Sequence, residues 1–196
     1  MCQPIKKDSK YEYLIMRRLV LVVVTVLLVA GFISCTSSKE KEIKRIKAYE
    51  SELLNDKTGI HKEKADTLLS MYDRFAKDYP NDSLVPHFMF KAGDLAMNMN
   101  EPQRAISYFD IICNSYKNFS RMPDCIFLKG FIYENYLDDL EKAKSHYQEF
   151  IQKYPNNELT SSAQGALDNL GLSPDDIVKK FQEKNAGNIK TDTIRS

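Results

Sequence analysis

A helical pattern is written along this chain three times at a near-constant spacing. Ala105, Phe109 and Ile112 stand at offsets 0, +4 and +7, and Ala143, Tyr147 and Phe150 repeat them. Leu68, Tyr72 and Phe75 form a fainter upstream copy. Each copy runs out at an aromatic residue, Tyr79, Tyr116 or Tyr154, and the steps between these are 37 and 38 residues. The segments between copies keep the same register: Pro86 with Pro123, Phe90 with Phe127 and Gly93 with Gly130, each 37 apart. Such offsets lie on one helical face. The small residue lets a neighbouring helix approach, and the aromatics fill the space beside it. One helix pair cannot bury its apolar face alone, so a period that holds two helical patterns describes an array of stacked pairs.

The rest of the chain agrees with an all-α fold. At 196 residues it holds one domain with appendages, and only seven are glycine, which disfavours a loop-rich β fold. The net charge of +1 offers no global basic field to nucleic acid. Helices are expected over residues 39–54, 62–79, 84–98, 102–116, 125–137, 140–154, 159–170 and 177–184. Pro102 suits a first helical turn, where its missing N–H costs nothing. Ser173-Pro174-Asp175-Asp176 reads as a helix start: a cap, a first-turn proline, and acids at the positive end of the dipole. The helix it opens carries Ile177, Val178 and Phe181 on one side, as a terminal capping helix would. Residues 185–196 are polar and are expected to be a disordered tail.

The N-terminal region reads as an export signal. Met16-Arg17-Arg18 precedes residues 19–33, an apolar run broken only by Thr25, and small residues follow. That run is shorter than the roughly 20 apolar residues of a membrane span, and its charged start and small-residue end suit a secretory signal. The expected division is a signal peptide at 1–34 with Met16 as the true start, a polar tether at 35–38, a repeat domain at 39–184 and the tail.

Nothing in the sequence assembles a catalytic, metal or cofactor site. His61, His87 and His146 are scattered, and no phosphate-cradling glycine loop occurs. The acid pairs Asp138-Asp139 and Asp175-Asp176 fall at helix starts, where capping accounts for them. Cys2, Cys35, Cys113 and Cys125 lack metal-ligand spacing. Cys113 and Cys125 lie on opposite helices around the turn at 115–122. A disulfide between them and a pair of free thiols both remain open.

Ala143, Tyr147, Phe150 and Pro155, at 0, +4, +7 and +12, resemble the second helix of a tetratricopeptide repeat, and Leu68, Tyr72, Phe75 and Pro80 keep that spacing. Gly93 and Gly130 fall at or beside the first-helix glycine of that family, although Lys129 stands where it usually has Leu. The resemblance implies a right-handed superhelix of about four antiparallel helix pairs. It also implies a non-enzymatic protein-interaction role, with the first helices lining a groove. The groove positions become His87, Phe90, Asp94 and Met97 on one helix, and Asp124, Phe127, Phe131 and Glu134 on the next. Phe90 and Phe127 fit an inter-repeat core equally well.

Phe32-Ile33-Ser34-Cys35 resembles a bacterial lipobox, which implies that Cys35 is lipidated. Thr36 after it implies the outer membrane, with the chain facing the periplasm. Together these features resemble the tetratricopeptide lipoproteins of outer-membrane β-barrel assembly and the periplasmic coordinators of the Tol-Pal system. The partners implied are other envelope proteins or peptide segments, with no cofactor and no nucleic acid. A ligand-binding subunit of an envelope enzyme or importer is the reading from another class.

Overall fold

The computed structural model describes residues 9–57 and 59–192, with side chains described at 16–21, 38–57 and 59–183. It contains α1 (Ser9–Leu54), α2 (Lys62–Asp78), α3 (Val85–Asn98), α4 (Pro102–Ser115), α5 (Met122–Asn135), α6 (Leu140–Lys153), α7 (Thr160–Asn169) and α8 (Pro174–Asp192). No strand occurs among the described residues, and the fold is the expected all-α superhelix of paired helices. The chain divides into two compact units, residues 1–57 and 58–196.

The first unit is helix α1. Its described side chains include Ile46 and Leu53, both buried, while Met16, Leu19, Val20 and Leu21 are exposed. The side chains of residues 22–37 lie outside the described set, and with them most of the export signal and Cys35. Among the described residues no helix is long and apolar enough to cross a membrane.

In the second unit each helix from α2 to α6 packs against its successor in the chain. The connections explain this order. Tyr79, Tyr116 and Tyr154 end α2, α4 and α6 with nearly the same backbone geometry, at φ/ψ of −133/56°, −127/52° and −132/57°. A tight turn follows each. Its last residue returns an N–H to the tyrosine carbonyl, in Asp82, Phe119 and Asn157, at 2.9, 2.9 and 3.1 Å. Asp82 and Asn157 then use a side-chain oxygen to hold the N–H of Leu84 and Leu159, each at 2.9 Å. This local bonding pattern favours a turn over helix continuation. The turns inside the helix pairs use a left-handed residue instead, Asn100 at φ 57° and Asp138 at φ 50°. Asn and Asp tolerate that conformation better than most residues.

Helix starts follow local chemistry. Asp139 caps α6 by accepting the Lys142 N–H at 3.1 Å. At α8, Ser173 Oγ accepts the Asp176 N–H at 3.2 Å and donates to the Asp176 carboxylate at 2.6 Å, closing the first turn over Pro174 and Asp175. The starts of α1 and α5 and both ends of α8 differ from the sequence expectation, α1 beginning at Ser9 and α8 at Pro174. Helix α5 begins at Met122 rather than 125, because the turn closes by Met122 N–H bonding to Phe119 O and Pro123 suits the first turn. Helix α8 stays helical to Asp192, and side chains past residue 183 lie outside the described set. Of its apolar side, Ile177 is half-buried while Val178 and Phe181 are exposed, so α8 leaves part of that face uncovered.

The core is the repeated face. Ala65, Leu68, Tyr72 and Phe75 of α2 are buried, as are Ala105, Phe109 and Ile112 of α4 and Ala143, Tyr147 and Phe150 of α6. Burying one such ring stabilises by about 2–3 kcal/mol. The rings reach across joints: Tyr72 stacks on Phe88 of α3 at 5.2 Å, and Phe75 meets the same ring edge-on at 5.0 Å. Within the α3–α4 and α5–α6 pairs a glycine admits the partner aromatic. A Cβ on Gly93 would stand 2.5 Å from the Phe109 ring, and one on Gly130 would stand 2.8 Å from the Tyr147 ring. Polar contacts on the outer rows also join successive second helices. Arg104 pairs with Asp66 at 2.7 Å and with Glu101 at 3.0 Å, and Tyr108 donates to Asp73 at 3.1 Å. Lys62 also pairs with Glu101. Such partly exposed pairs contribute little individually.

Two glycine substitutions separate close approach from helix propensity. Gly93→Ala should destabilise the chain by on the order of 1–3 kcal/mol, because Phe109 has no room to retreat. Gly165→Ala, in α7 where an added Cβ meets nothing within 4 Å, should instead stabilise it by about 0.5–1 kcal/mol. Urea denaturation of both variants checks this. A neutral Gly93→Ala would show that the α3–α4 joint is looser than described.

Candidate functional site

The first helices of two adjacent pairs, α3 and α5, carry the residues singled out as a groove. The structure gathers His87, Phe90, Asp94 and Asp124 around two further residues, Phe119 and Arg121. The His87 and Phe119 rings meet edge-on at 4.9 Å, and Phe90 lies 6.3 Å from Phe119. The Arg121 guanidinium sits 3.7 Å above the Phe90 ring and donates to Asp124 at 2.9 Å. A cation over a ring adds about 0.5–1 kcal/mol at an exposed site. Phe90 is 2% exposed and packs against Phe109, so it belongs to the core beneath this cluster.

The other groove positions are set differently. Phe127 is half-buried and its ring meets Tyr147 and Phe150 at 5.7 and 5.8 Å, inside its own helix pair. Phe131 is half-buried and touches Tyr136 edge-on at 6.2 Å. Glu134 accepts from the Tyr147 hydroxyl at 2.7 Å. Burial and that carboxylate both hold the Tyr147 phenol above its ordinary pKa. Met97 is half-buried. The partly open positions that remain are therefore His87, Asp94, Met97, Asp124 and Phe131.

Asp94 is the electrostatic centre of the stripe. Burial pushes its carboxyl up from 3.8 to about 6; Arg121 opposes that rise and Asp124 adds to it. Among the described residues Asp94 makes no direct hydrogen bond or ion pair. A half-buried carboxylate held this way keeps its acceptor capacity for something outside the fold.

Phe119 and Arg121 went unnoticed in the sequence, although one signal was present. Asp82 and Asn157 supply a side-chain oxygen at the corresponding turn position, and Phe119 cannot. A phenyl group where the repeat asks for an oxygen marks a position used for something else.

The remaining candidates are placed as follows. Cys35 lies on α1 with its side chain outside the described residues. Cys113 and Cys125 are free thiols on α4 and α5. Lys129, the departure from the repeat pattern, pairs with Asp110 of α4 at 2.5 Å. His146 stacks on Tyr133 at 5.4 Å, and burial holds its imidazole below the ordinary pKa. Among the described residues no three metal-ligating side chains gather.

The tetratricopeptide repeat model matches residues 88–118 and 124–157. These segments cover nearly all of α3–α4 and α5–α6, the pairs that carry the stripe. The match supports a tetratricopeptide repeat protein and points to a protein–protein interaction scaffold. Such proteins are generally non-enzymatic interaction modules that bind other proteins or peptides. No curated protein matches this chain.

The Asp94 environment generates a pH prediction. Its folded pKa lies above the unfolded value, so the folded chain binds more protons between pH 4 and pH 6 and stability falls as pH rises through that window. Asp94→Asn should remove this fall. It should be more stable than wild type at pH 7 by about 1 kcal/mol, a value reduced for solvent screening. The two should converge near pH 4. Urea denaturation at both pH values tests this, and an equal difference at both would show that the charge is not what strains the site.

Proposed function

We propose that this chain is a non-enzymatic scaffold of a bacterial cell envelope, held to a membrane by lipid on Cys35. It grips a partner protein along the α3–α5 stripe. Asp94 carries the reading. The stripe sets the carboxylates of Asp94 and Asp124 beside the guanidinium of Arg121, which already leans on Phe90 and pairs with Asp124. Charge complementarity therefore favours a partner segment that brings a Lys or Arg to Asp94 and an apolar side chain to Met97 and Phe131. The first helices of stacked pairs suit such a segment because each repeat presents the same face at a regular interval.

The envelope part of the proposal rests on the sequence: a charged start, an apolar run and a small-residue stretch ending at Cys35. One acyl chain binds membranes only marginally, whereas two or more make a stable anchor. In this reading residues 1–34 are removed, and the repeat domain faces the periplasm from the outer membrane, where it serves outer-membrane protein assembly. Coordination of the Tol-Pal system or of peptidoglycan synthesis, and ligand delivery to an envelope enzyme or importer, are the competing roles.

Two measurements test the proposal. Cys35→Ala should abolish acyl labelling and release the chain from membranes; a variant that stays labelled and bound removes the anchor. Crosslinking from position 97 in the full-length membrane-bound chain should capture a specific protein, and Asp94→Lys should weaken that capture by about tenfold or more while the fold survives. Capture that is indifferent to Asp94→Lys moves the binding face elsewhere. Subunits of barrel assembly, Tol-Pal or peptidoglycan-synthesis proteins, or a lone soluble ligand, would each assign the role.

A further inference from the structure

We propose that the cleft between α4, α5 and α6 is a binding site for a small phosphomonoester, whose phosphoryl group is held among Lys117, Lys129 and Lys153.

The joint between successive repeats is written three times, and two lysines are peculiar to the middle copy. Steps of 37 and 38 residues align Lys117 with Pro80 and Pro155, and Lys129 with Ala92 and Leu167. In the preceding joint the matching residues close on one another: Val85, Met89 and Ala92 are at most 1% exposed. In the middle joint Met122 and Lys129, at two of those positions, are only partly buried, and a cleft of about 400 Å³ opens beside them. Lys129 keeps just 13% of its side chain exposed. Taking an ammonium group out of water costs free energy, and alanine or leucine serves the frame at this position. The two lysines therefore answer to the cleft rather than to the fold.

The charges in the cleft do not cancel. Lys117 enters from the turn after α4, Lys129 from α5 and Lys153 from α6, against Asp110 and Glu149. Three ammonium groups facing two carboxylates leave one positive charge uncompensated. Lys129 is engaged by Asp110 at 2.5 Å and Lys153 by Glu149 at 2.7 Å. Each ammonium has three donors, so both keep N–H groups for a ligand. Among the described residues Lys117 makes no ion pair, and the Asn114 amide beside it makes no hydrogen bond.

Donors entering from three separate elements suit a tetrahedral oxyanion, whose oxygens point several ways, better than a planar carboxylate. Lysine serves a phosphoryl group as a point charge. Met122 and Ile126 supply the apolar part of the wall, so the phosphoryl group arrives on a small apolar body. Met122, Ile126 and Lys129 lie on the side of α5 away from Asp124, Phe127 and Phe131, so this site is separate from the α3–α5 stripe.

Equilibrium dialysis of phenyl phosphate against the full-length chain in neutral detergent, at low salt, tests the site. One molecule should bind per chain. Benzoate, with the same ring on a planar carboxylate, should bind more weakly by about threefold or more. Lys117→Pro and Lys129→Leu install residues of the kind the neighbouring copies carry, so both should keep the melting temperature. Each should weaken phenyl phosphate by about threefold to tenfold. Lys117→Gln, at an exposed side chain, replaces Lys117→Pro if the proline lowers the melting temperature. Absence of saturable binding overturns the site. So does binding that both lysine variants leave unchanged. Equal affinity for benzoate overturns the phosphoryl preference. Phosphatidate in the micelles and soluble glycerol phosphate then compete for the site, and the stronger competitor assigns the phosphoryl group to a lipid or to a soluble molecule.

Discussion

The contact on which the second unit depends is the one between a missing side chain and a ring. Gly93 faces Phe109 and Gly130 faces Tyr147, at distances where a single methyl group would collide. This closeness seats each second-helix aromatic in its partner helix. The alanine on the same face, Ala105 or Ala143, is fully buried beside it. Loss of contact distance at one pair would pass to the next, because α4 also packs on α5 and α6 on α7. Interiors packed this densely transmit such strain rather than absorb it.

That close-packed frame has two working rows. Second helices are joined along one row by Arg104, Asp66, Tyr108 and Asp73, whose groups largely satisfy one another. The first helices α3 and α5 leave Asp94 unsatisfied. A carboxylate whose burial disfavours its charge lowers stability at neutral pH, and nothing in the frame requires one there. The turn before α5 adds Phe119 and Arg121, which brace the cluster from outside the helices. The cleft on another side, with Lys117, Lys129 and Cys113, arises where Lys129 replaces the apolar residue the repeat pattern expects.

Much of the fold was legible because helical repetition is local. The offsets of Ala143, Tyr147 and Phe150 follow helix geometry and need no knowledge of distant contacts. Pro102, Asp139 and Ser173 announced helix starts through short-range hydrogen-bond chemistry. The site was legible only in part. The spacing of His87, Phe90 and Asp94 placed them on one stripe, and the same spacing suited Phe90 equally to a groove or a core. Arg121 over its ring and Phe109 beside it settled that question in three dimensions.

By itself the sequence determined the helical class, the 37–38-residue period, the aromatic helix ends and the small residues that permit close packing. Each follows from interactions within a few residues or from a periodicity along one helix. Tertiary structure alone decided which face of α5 meets Tyr147, which carboxylate is left without a partner, that Phe119 and Arg121 join α3, and that Cys113 is open while Cys125 is closed. Those outcomes depend on burial and on neighbours brought together by the helix packing. Desolvation is a property of a place in the fold, and no residue's letter carries it.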